Sequence, residues 1–440
     1  MGQGTRIDTA PVFNVLVVAY YFPPMAMSGV QRPLKFVKYL PQHGWQPTVL
    51  TVEPGAYFEF DDSLEDELDG LDIDVHRVSS LDPARLFGRR KRISFPTEGR
   101  RKFASTVSQA LFIPDNKIGW RRAAVRKGRE ILNSGDYHAI FSTAPPYTSH
   151  LVGLTLAAYS DLPLIADFRD DWVGNPRHVY PTPWHRGQHV KLESRLIENS
   201  AAVTVVNRRI YDQIIVRNLG PAGYHKVSMI PHGYDPQDFP RAASRRNDGK
   251  LRITYTGVFY DVQSPEPFLR AMALLLDRRP ALKSQWVAEF VGHLSEKALD
   301  LIKRLHLEDA VDYRGYLPHR ESVARLMDAD ILWMTVGKRP GNESISTGKL
   351  GEYIGARKPI LGLVPEGAAR EVLERYEASE IAPPDDPEAI AAVLESLYER
   401  WRTNSLPRHD EEYAVTFDQS RLAGRLAKVM HSTLPADVIT

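Results

Sequence analysis

The chain has 440 residues, 43% of them hydrophobic and 25% charged, with a formal net charge of +1. That length exceeds one ordinary core and fits two domains of roughly 150–200 residues. No apolar run of about 18 residues is available to span a membrane, and zero cysteines exclude disulfides, thiolate metal sites and cysteine nucleophiles. The opening MGQGTRIDTA lacks the apolar stretch of a signal peptide, and Arg6 stands where a myristoylation signal needs Ser or Thr, so a cytoplasmic enzyme is expected.

The run NVLVVAYYF (14–22) has the continuous apolar character of a buried parallel strand and stops at Pro23-Pro24. After a turn at Ser28-Gly29, VQRPLKFVKYLPQHG places Val30, Leu34, Val37 and Leu40 at helical spacing. Gly44 ends that helix, and QPTVLTVEP is the next strand. Charge then dominates. Residues 59–74 carry nine acidic and no basic side chains, and residues 85–129 carry fourteen Lys/Arg (Arg89 to Arg92 and Arg121 among them) against Glu98 and Asp115. Such a basic segment is a solvated surface or an attraction for an anionic partner. Lipid headgroups and a lipid diphosphate fit; nucleic acid does not, because no base-reading or stacking module accompanies it. FDD at 60–62 is discounted as a metal motif, since it lies in an acidic, loop-like stretch.

HAIFSTAPP, YTSHLVGLTLAAYSDLP and LIADF give strand, helix and strand. SAAVTVVNR with RIYDQIIVRNLG repeats the unit before KVSMIPHGYDP closes the first half, with His232 at the hinge. His185, His189 and Glu193 share a helix face, read as ordinary surface. The polar PRAASRRNDGK (240–250) is a linker, and a second strand–helix series runs from LRITYTGV to PEAIAAVLESLYERW. The last helix, FDQSRLAGRLAKVMHS, puts Leu422, Leu426 and Val429 on one face. The fold class is α/β: two tandem doubly wound Rossmann-like domains, residues 1–236 and 250–410, facing a cleft, with a segment 411–440 whose helix returns to the first domain. Ligands of such sheets sit beyond the carboxyl ends of the strands at the switch point.

GNESISTGKLGEYIGARKPILGLVPEG (341–367) has the outline of a Walker loop. However, Gly341 and Gly348 enclose six residues, and Leu350 stands where a magnesium-binding hydroxyl is required. Either a capped helix with an exposed Glu or a different phosphate cradle is left. Ser346 and Thr347 can cap a helix start, Gly348 lets a ligand approach the backbone, Lys349 adds charge, and Glu352, one turn on, can accept two hydrogen bonds from a vicinal diol.

This stretch, with its K-L-x-E-Y…P-I-L after A-D-I, resembles the donor-binding region of family 4 glycosyltransferases, which have the GT-B fold. The likeness runs along nearly the whole chain: VLVVAYYFPPMAMSGVQRPLKFVKYLPQHGWQPTVLT, LFIPDNKIGW, STAPPYTSHLVG, LPLIADFRDDW, MIPHGYDPQDF and YRGYLPHRE follow in the family's order, several of them like a polysaccharide-building, cell-envelope branch. The resemblance implies retaining transfer of a sugar from a nucleotide diphosphate sugar, without a metal or other cofactor. It places Gly257, Ser346, Thr347, Gly348 and Lys349 at the diphosphate, Glu352 on the ribose, Leu317 in the turn against the base, and Glu343 near the donor sugar. Gly29, Arg32 and His150 fall on the acceptor side, and Arg169 and Asp170 face the reacting centre.

Three departures bear on this assignment. Val258 replaces the family's usual Arg, and Gln263 and Ser264 stand where a Lys is usual, so Lys338, Arg339 and Lys349 are the candidate cations. Glu343 and Glu352 are separated by eight residues rather than seven. Arg169-Asp170 replaces His-Asp, and a guanidinium orients rather than takes a proton. The expected protein transfers a sugar from a UDP- or GDP-sugar to a glycan or lipid-diphosphate-linked acceptor in surface polysaccharide synthesis. It works in the cytoplasm, with the basic segment 85–129 holding it to the inner face of the plasma membrane. A sugar-nucleotide epimerase or hydrolase of the same fold, or a non-catalytic nucleotide-sugar-binding protein, are the alternatives.

Overall fold

The structure, a computed structural model, describes residues 13–26, 28–55, 57–82, 106–239, 248–259 and 263–436. Strands β1 (Phe13–Val18), β2 (Trp45–Val52), β3 (Val75–Val78), β4 (Ala139–Ala144), β5 (Leu164–Phe168), β6 (Ala202–Val205) and β7 (Val227–Met229) form one sheet in the order β3-β2-β1-β4-β5-β6-β7. A second sheet contains β8 (Leu251–Thr256), β9 (Trp286–Val291), β10 (Val311–Gly315), β11 (Ile331–Thr335), β12 (Ile360–Leu363) and β13 (Ser379–Ala382), in the order β10-β9-β8-β11-β12-β13. Every pairing is parallel. The central strands are buried almost throughout, as apolar runs covered by helices on both faces must be.

Strand order reverses between β1 and β4, and again between β8 and β11. At each reversal the connections leave on opposite faces, so a crevice opens beyond the carboxyl ends. The fold thus sets two crevices facing one another.

The last helix, Gln419–His431, joins the first domain's core through Leu422, Ala423, Leu426 and Met430. Met430 rather than Val429 completes its buried face, because i, i+4, i+8 aligns 422, 426 and 430 on a helix. Trp45 Nε1 donates to His431 Nδ1 at 3.0 Å and seals the return. Chain crossings between the domains lie side by side: Tyr234 N–H donates to Phe417 O and Gln419 N–H to Tyr234 O, both at 2.9 Å. A Cβ on Gly233 would stand 2.3 Å from Phe417 O, so only glycine lets the crossings come this close.

The acidic run is not a free loop. It forms short 3-10 turns, Asp62–Leu64 and Asp66–Leu68, that lean on the second domain. Asp61 Oδ2 accepts from the His319 N–H at 2.8 Å, and Glu59 Oε1 lies 3.0 Å from His293 Nε2. Within the basic run, Arg85 to Lys102 lie outside the described residues; the Arg121–Asn133 helix carries the rest of its arginines on the surface. Among the described residues no helix is long and apolar enough to cross a membrane.

Candidate active site

The two crevices share one cavity of about 170 Å³. The first domain supplies Arg32, Lys35 and Asp61. The crossing supplies His232, Tyr234 and Asp238, and the second domain Gly257, Leu317, His319, Gly348, Lys349 and Glu352. Sites holding drug-sized ligands measure roughly 300–1,000 Å³, more than this cavity offers as it stands.

The helix Gly348–Gly355 aims its amino end into this space. Thr347 has the extended backbone of an N-cap, but neither its side chain nor that of Ser346 caps the helix, which corrects the sequence reading. Instead Thr347 Oγ1 is buried without a hydrogen-bond partner among the described residues. A Cβ on Gly348 would meet nothing within 4 Å, so the space before the first-turn N–H groups is open. An open helix start of this kind attracts an anion through its N–H groups and its partial positive charge.

Lys349 Nζ donates to Tyr255 Oη at 2.6 Å and sits 4.4 Å from the centroid of that ring. Burial pushes its pKa down to about 7, opposed by the Glu352 charge and reinforced by Arg177. Gly257 has φ +112°, and a Cβ there would stand 2.4 Å from Lys349 Cε. Glycine is therefore required twice, by its backbone and by the lysine lying across the β8 exit.

Glu352 directs Oε1 to His319 Nε2 at 3.0 Å and keeps 26% of its side chain exposed. Burial pushes the His319 imidazole down, but the Glu352 hydrogen bond and the Glu352 and Asp238 charges outweigh it and leave its pKa above the ordinary value. The sequence reading did not pick out His319; the available signal is a histidine directly after Pro318 at a helix start, inside the LPHRE turn. Below it, Lys35 Nζ bonds Glu67 Oε2 at 2.6 Å, Asp235 Oδ2 at 3.0 Å and both Asp238 oxygens at 2.8 and 2.9 Å. Ligand atoms of Glu67, Asp238 and His319 lie within 4.8 Å of one another. Since the Lys35 ammonium already bonds both carboxylates, this cluster is an ion network.

Two family models match the chain one after the other: the glycosyl transferase 4-like domain over residues 29–233 and glycosyl transferases group 1 over residues 236–414. The chain is a family 4 glycosyltransferase. Comparison with curated proteins gives no significant match. Among solved structures, sucrose-phosphate synthase of Thermosynechococcus elongatus superposes with a TM-score of 0.64 at 13% identity, covering 95% of this chain and 98% of its own. Anabaena HepE, solved with UDP-glucose, gives 0.62 at 15%, covering 95% and 99%. A glycosyltransferase of Rickettsia africae gives 0.62 at 14%, covering 96% and 98%. At such identities the likeness shows the fold, GT-B.

Of the donor-side residues expected for the glycosyltransferase, Gly257, Leu317, Gly348, Lys349 and Glu352 line the cavity, with Thr347 adjoining. Lys338 and Arg339 do not line it. Asn342 Nδ2 donates back to Gly337 O at 2.5 Å, and this fold in the loop leaves both cations exposed, Lys338 3.9 Å from Asp385. Glu343 is likewise exposed outside the cavity, its backbone packed against Gly367.

The acceptor-side assignments need more correction. Arg32 reaches the cavity wall, but its guanidinium is committed: Nε and Nη2 bond Asp167 at 3.0 and 2.8 Å, and Nη1 bonds Pro231 O at 2.8 Å. Although burial raises the Asp167 carboxyl, Arg32 and two threonine hydroxyls hold it at about 2. Arg169 is buried and donates to three backbone carbonyls, Ala144 O at 3.1 Å, Gly29 O and Pro145 O, so it ties strand exits together. Gly29 has room for a Cβ, 3.5 Å from Tyr21. His150 is a core residue: fully buried, 2.8 Å from Ser142 Oγ, and held neutral by burial with a pKa of about 3. Asp170 is half-buried at the β5 exit, outside the cavity. His189 and Glu193, read as helix surface, are instead buried and occupied by Trp172 Nε1 and by Val173 N–H and Arg217.

A second, open groove runs between the Arg121–Asn133 and Thr148–Ser160 helices, lined by Arg121, Arg122, Arg126, Arg129 and Tyr159. The Arg129 guanidinium lies 4.6 Å over the Tyr159 ring.

Proposed function

We propose that this glycosyltransferase is retaining and metal-independent, and moves a sugar from a nucleotide diphosphate sugar to a glycan or lipid-diphosphate-linked acceptor in surface polysaccharide synthesis. One observation carries the donor part: the uncapped Gly348 helix start, Lys349, Gly257 and Glu352 converge on one inter-domain cavity. Backbone N–H groups, the Thr347 hydroxyl and the Lys349 ammonium can balance the charge that develops on a leaving diphosphate. Glu352 takes the ribose diol, and the acceptor approaches from the first domain past Asp170. HepE holds UDP-glucose, so a UDP-sugar is the first donor to test. Incubation with UDP-, GDP- and ADP-sugars, with the anomeric configuration of the product read by NMR, tests the reaction. Retention and an unchanged rate under chelation are expected; inversion or loss of turnover on chelation overturns the reading.

The arginine groove supports a peripheral site on the inner face of the plasma membrane. Arg122 and Arg126 face solvent on one helix, and basic residues near an anionic leaflet contribute about 1 kcal/mol each. Co-sedimentation should show binding to phosphatidylglycerol vesicles, not to neutral ones, and its loss in an Arg122→Glu, Arg126→Glu variant. Equal sedimentation of the variant excludes the groove.

A further inference from the structure

Among the described residues that line the cavity, His319 contacts all three parts of the fold through its backbone and its ring. Its backbone N–H donates to Asp61 Oδ2 of the first domain at 2.8 Å. Its Nε2 meets Glu352 Oε1 of the second domain at 3.0 Å. Its Nδ1 faces Asp238 Oδ2, on the crossing, at 3.8 Å and has no hydrogen-bond partner among the described residues.

From this geometry we propose that His319 is the positioning residue for Glu352: it fixes the carboxylate for the ribose diol and ties that carboxylate to Asp61 and Asp238, so that nucleotide affinity depends on the contact across the cleft. The proposal rests on the donor-site reading above. A glutamate with 26% of its side chain exposed has several rotamers open to it, and a bidentate grip on a diol uses one. His319 selects it. The selection is strongest when the imidazole carries both protons, because an ionised carboxylate only accepts. Neutral imidazole gives its single N–H to Glu352 and leaves a lone pair on Nδ1 facing Asp238; imidazolium keeps the N–H to Glu352 and turns its positive charge to Asp238 at 3.8 Å. The groups that face it are Glu352 on its helix, Asp238 on the crossing, Glu67 and Asp61 in the acidic turns, and Lys35 on the first helix. Both Asp238 oxygens accept from Lys35 Nζ, whose charge opposes but does not cancel the rise that burial imposes on that carboxyl. Opposing carboxylates raise the His319 pKa, so the grip is complete below that pKa and fades as pH rises through it.

The test compares UDP with 2′-deoxy-UDP by calorimetry, from pH 6 to 9, in the wild type, His319→Gln and Glu352→Gln. The ratio of the two affinities cancels everything that acts on the diphosphate, Lys349 included. In the wild type we expect the ratio to favour UDP by roughly tenfold at pH 6.5, the size of one charge-assisted hydrogen bond, and to shrink with rising pH. In His319→Gln, whose amide keeps a neutral donor to Glu352, the ratio should lose its pH dependence, while UDP still binds and the thermal midpoint stays close to wild type. His319→Asn, whose donor is one methylene short of Glu352, should bring the ratio near one and flat, matching Glu352→Gln. A wild-type ratio and pH profile in His319→Gln overturns the proposal alone. A wild type in which neither Glu352→Gln nor the missing 2′-hydroxyl changes affinity, or that binds no UDP, overturns it together with the donor-site reading.

Discussion

Donor binding should take up a proton at Lys349. Its ammonium is packed on Tyr255 and against Gly257, and in the free protein its pKa is pushed down to about 7. A diphosphate on the Gly348 helix start places negative charge beside it, which restores the charged form. With a pKa near 7, about half a proton per site is absorbed at pH 7 and about 0.9 at pH 8, falling to about 0.1 at pH 6. A nucleotide diphosphate sugar is the right probe, because its diester phosphates exchange no proton in this range. Calorimetric titration of UDP-glucose in phosphate and in Tris buffer, which differ in ionisation enthalpy, reads the number directly. Lys349→Arg stays charged at every working pH, so the difference between the two proteins isolates the lysine. The sign follows: the charged form binds, so affinity is full below about pH 7 and falls up to about tenfold per pH unit above it. Equal proton numbers in wild type and Lys349→Arg at pH 8 would refute the assignment of Lys349 to the diphosphate.

Gly257→Ala forces a Cβ to 2.4 Å from Lys349 Cε at φ +112°. Backbone strain of about 1–3 kcal/mol and displacement of the lysine should raise the donor KM about tenfold or more with circular dichroism unchanged; a wild-type KM contradicts the contact. Arg32→Met leaves Asp167 buried and unpaired and should lower the unfolding free energy by about 3–5 kcal/mol in urea titration, whereas a loss below about 1 kcal/mol shows the pair to be dispensable. Since Arg32 holds the Asp167 carboxyl at about 2, the wild-type contribution is present above about pH 4 and disappears as pH falls through about 2. Acid unfolding followed by tryptophan fluorescence should show that loss.

What the sequence makes legible here is what is local. Val30, Leu34, Val37 and Leu40 are all buried at helical spacing, and Gly44 ends the segment in a left-handed turn that donates to Leu40 O. Gly348 and Lys349 are legible as cavity residues because the stretch that carries them is short. His319 is not, because its partners Asp61, Asp238 and Glu352 come from three remote segments. The acidic run reads as loop-like, yet Glu59, Asp61 and Glu67 find His293, His319 and Lys35 through tertiary contact. Arg32 reads as an acceptor-side residue and Arg169 as one that faces the reacting centre, and only the fold shows them spent on Asp167 and on backbone carbonyls. His150 fails similarly: sequence places it near the acceptor strand, but the helix turns it into the core.

The structure of the protein with a bound nucleotide diphosphate sugar tests the central claim most directly. The account predicts β-phosphate oxygens within hydrogen-bond reach of the Gly348 and Lys349 N–H groups and of Lys349 Nζ, and the ribose hydroxyls on Glu352 with its His319 contact kept. A nucleotide seated elsewhere, or a ribose turned away from Glu352, contradicts it.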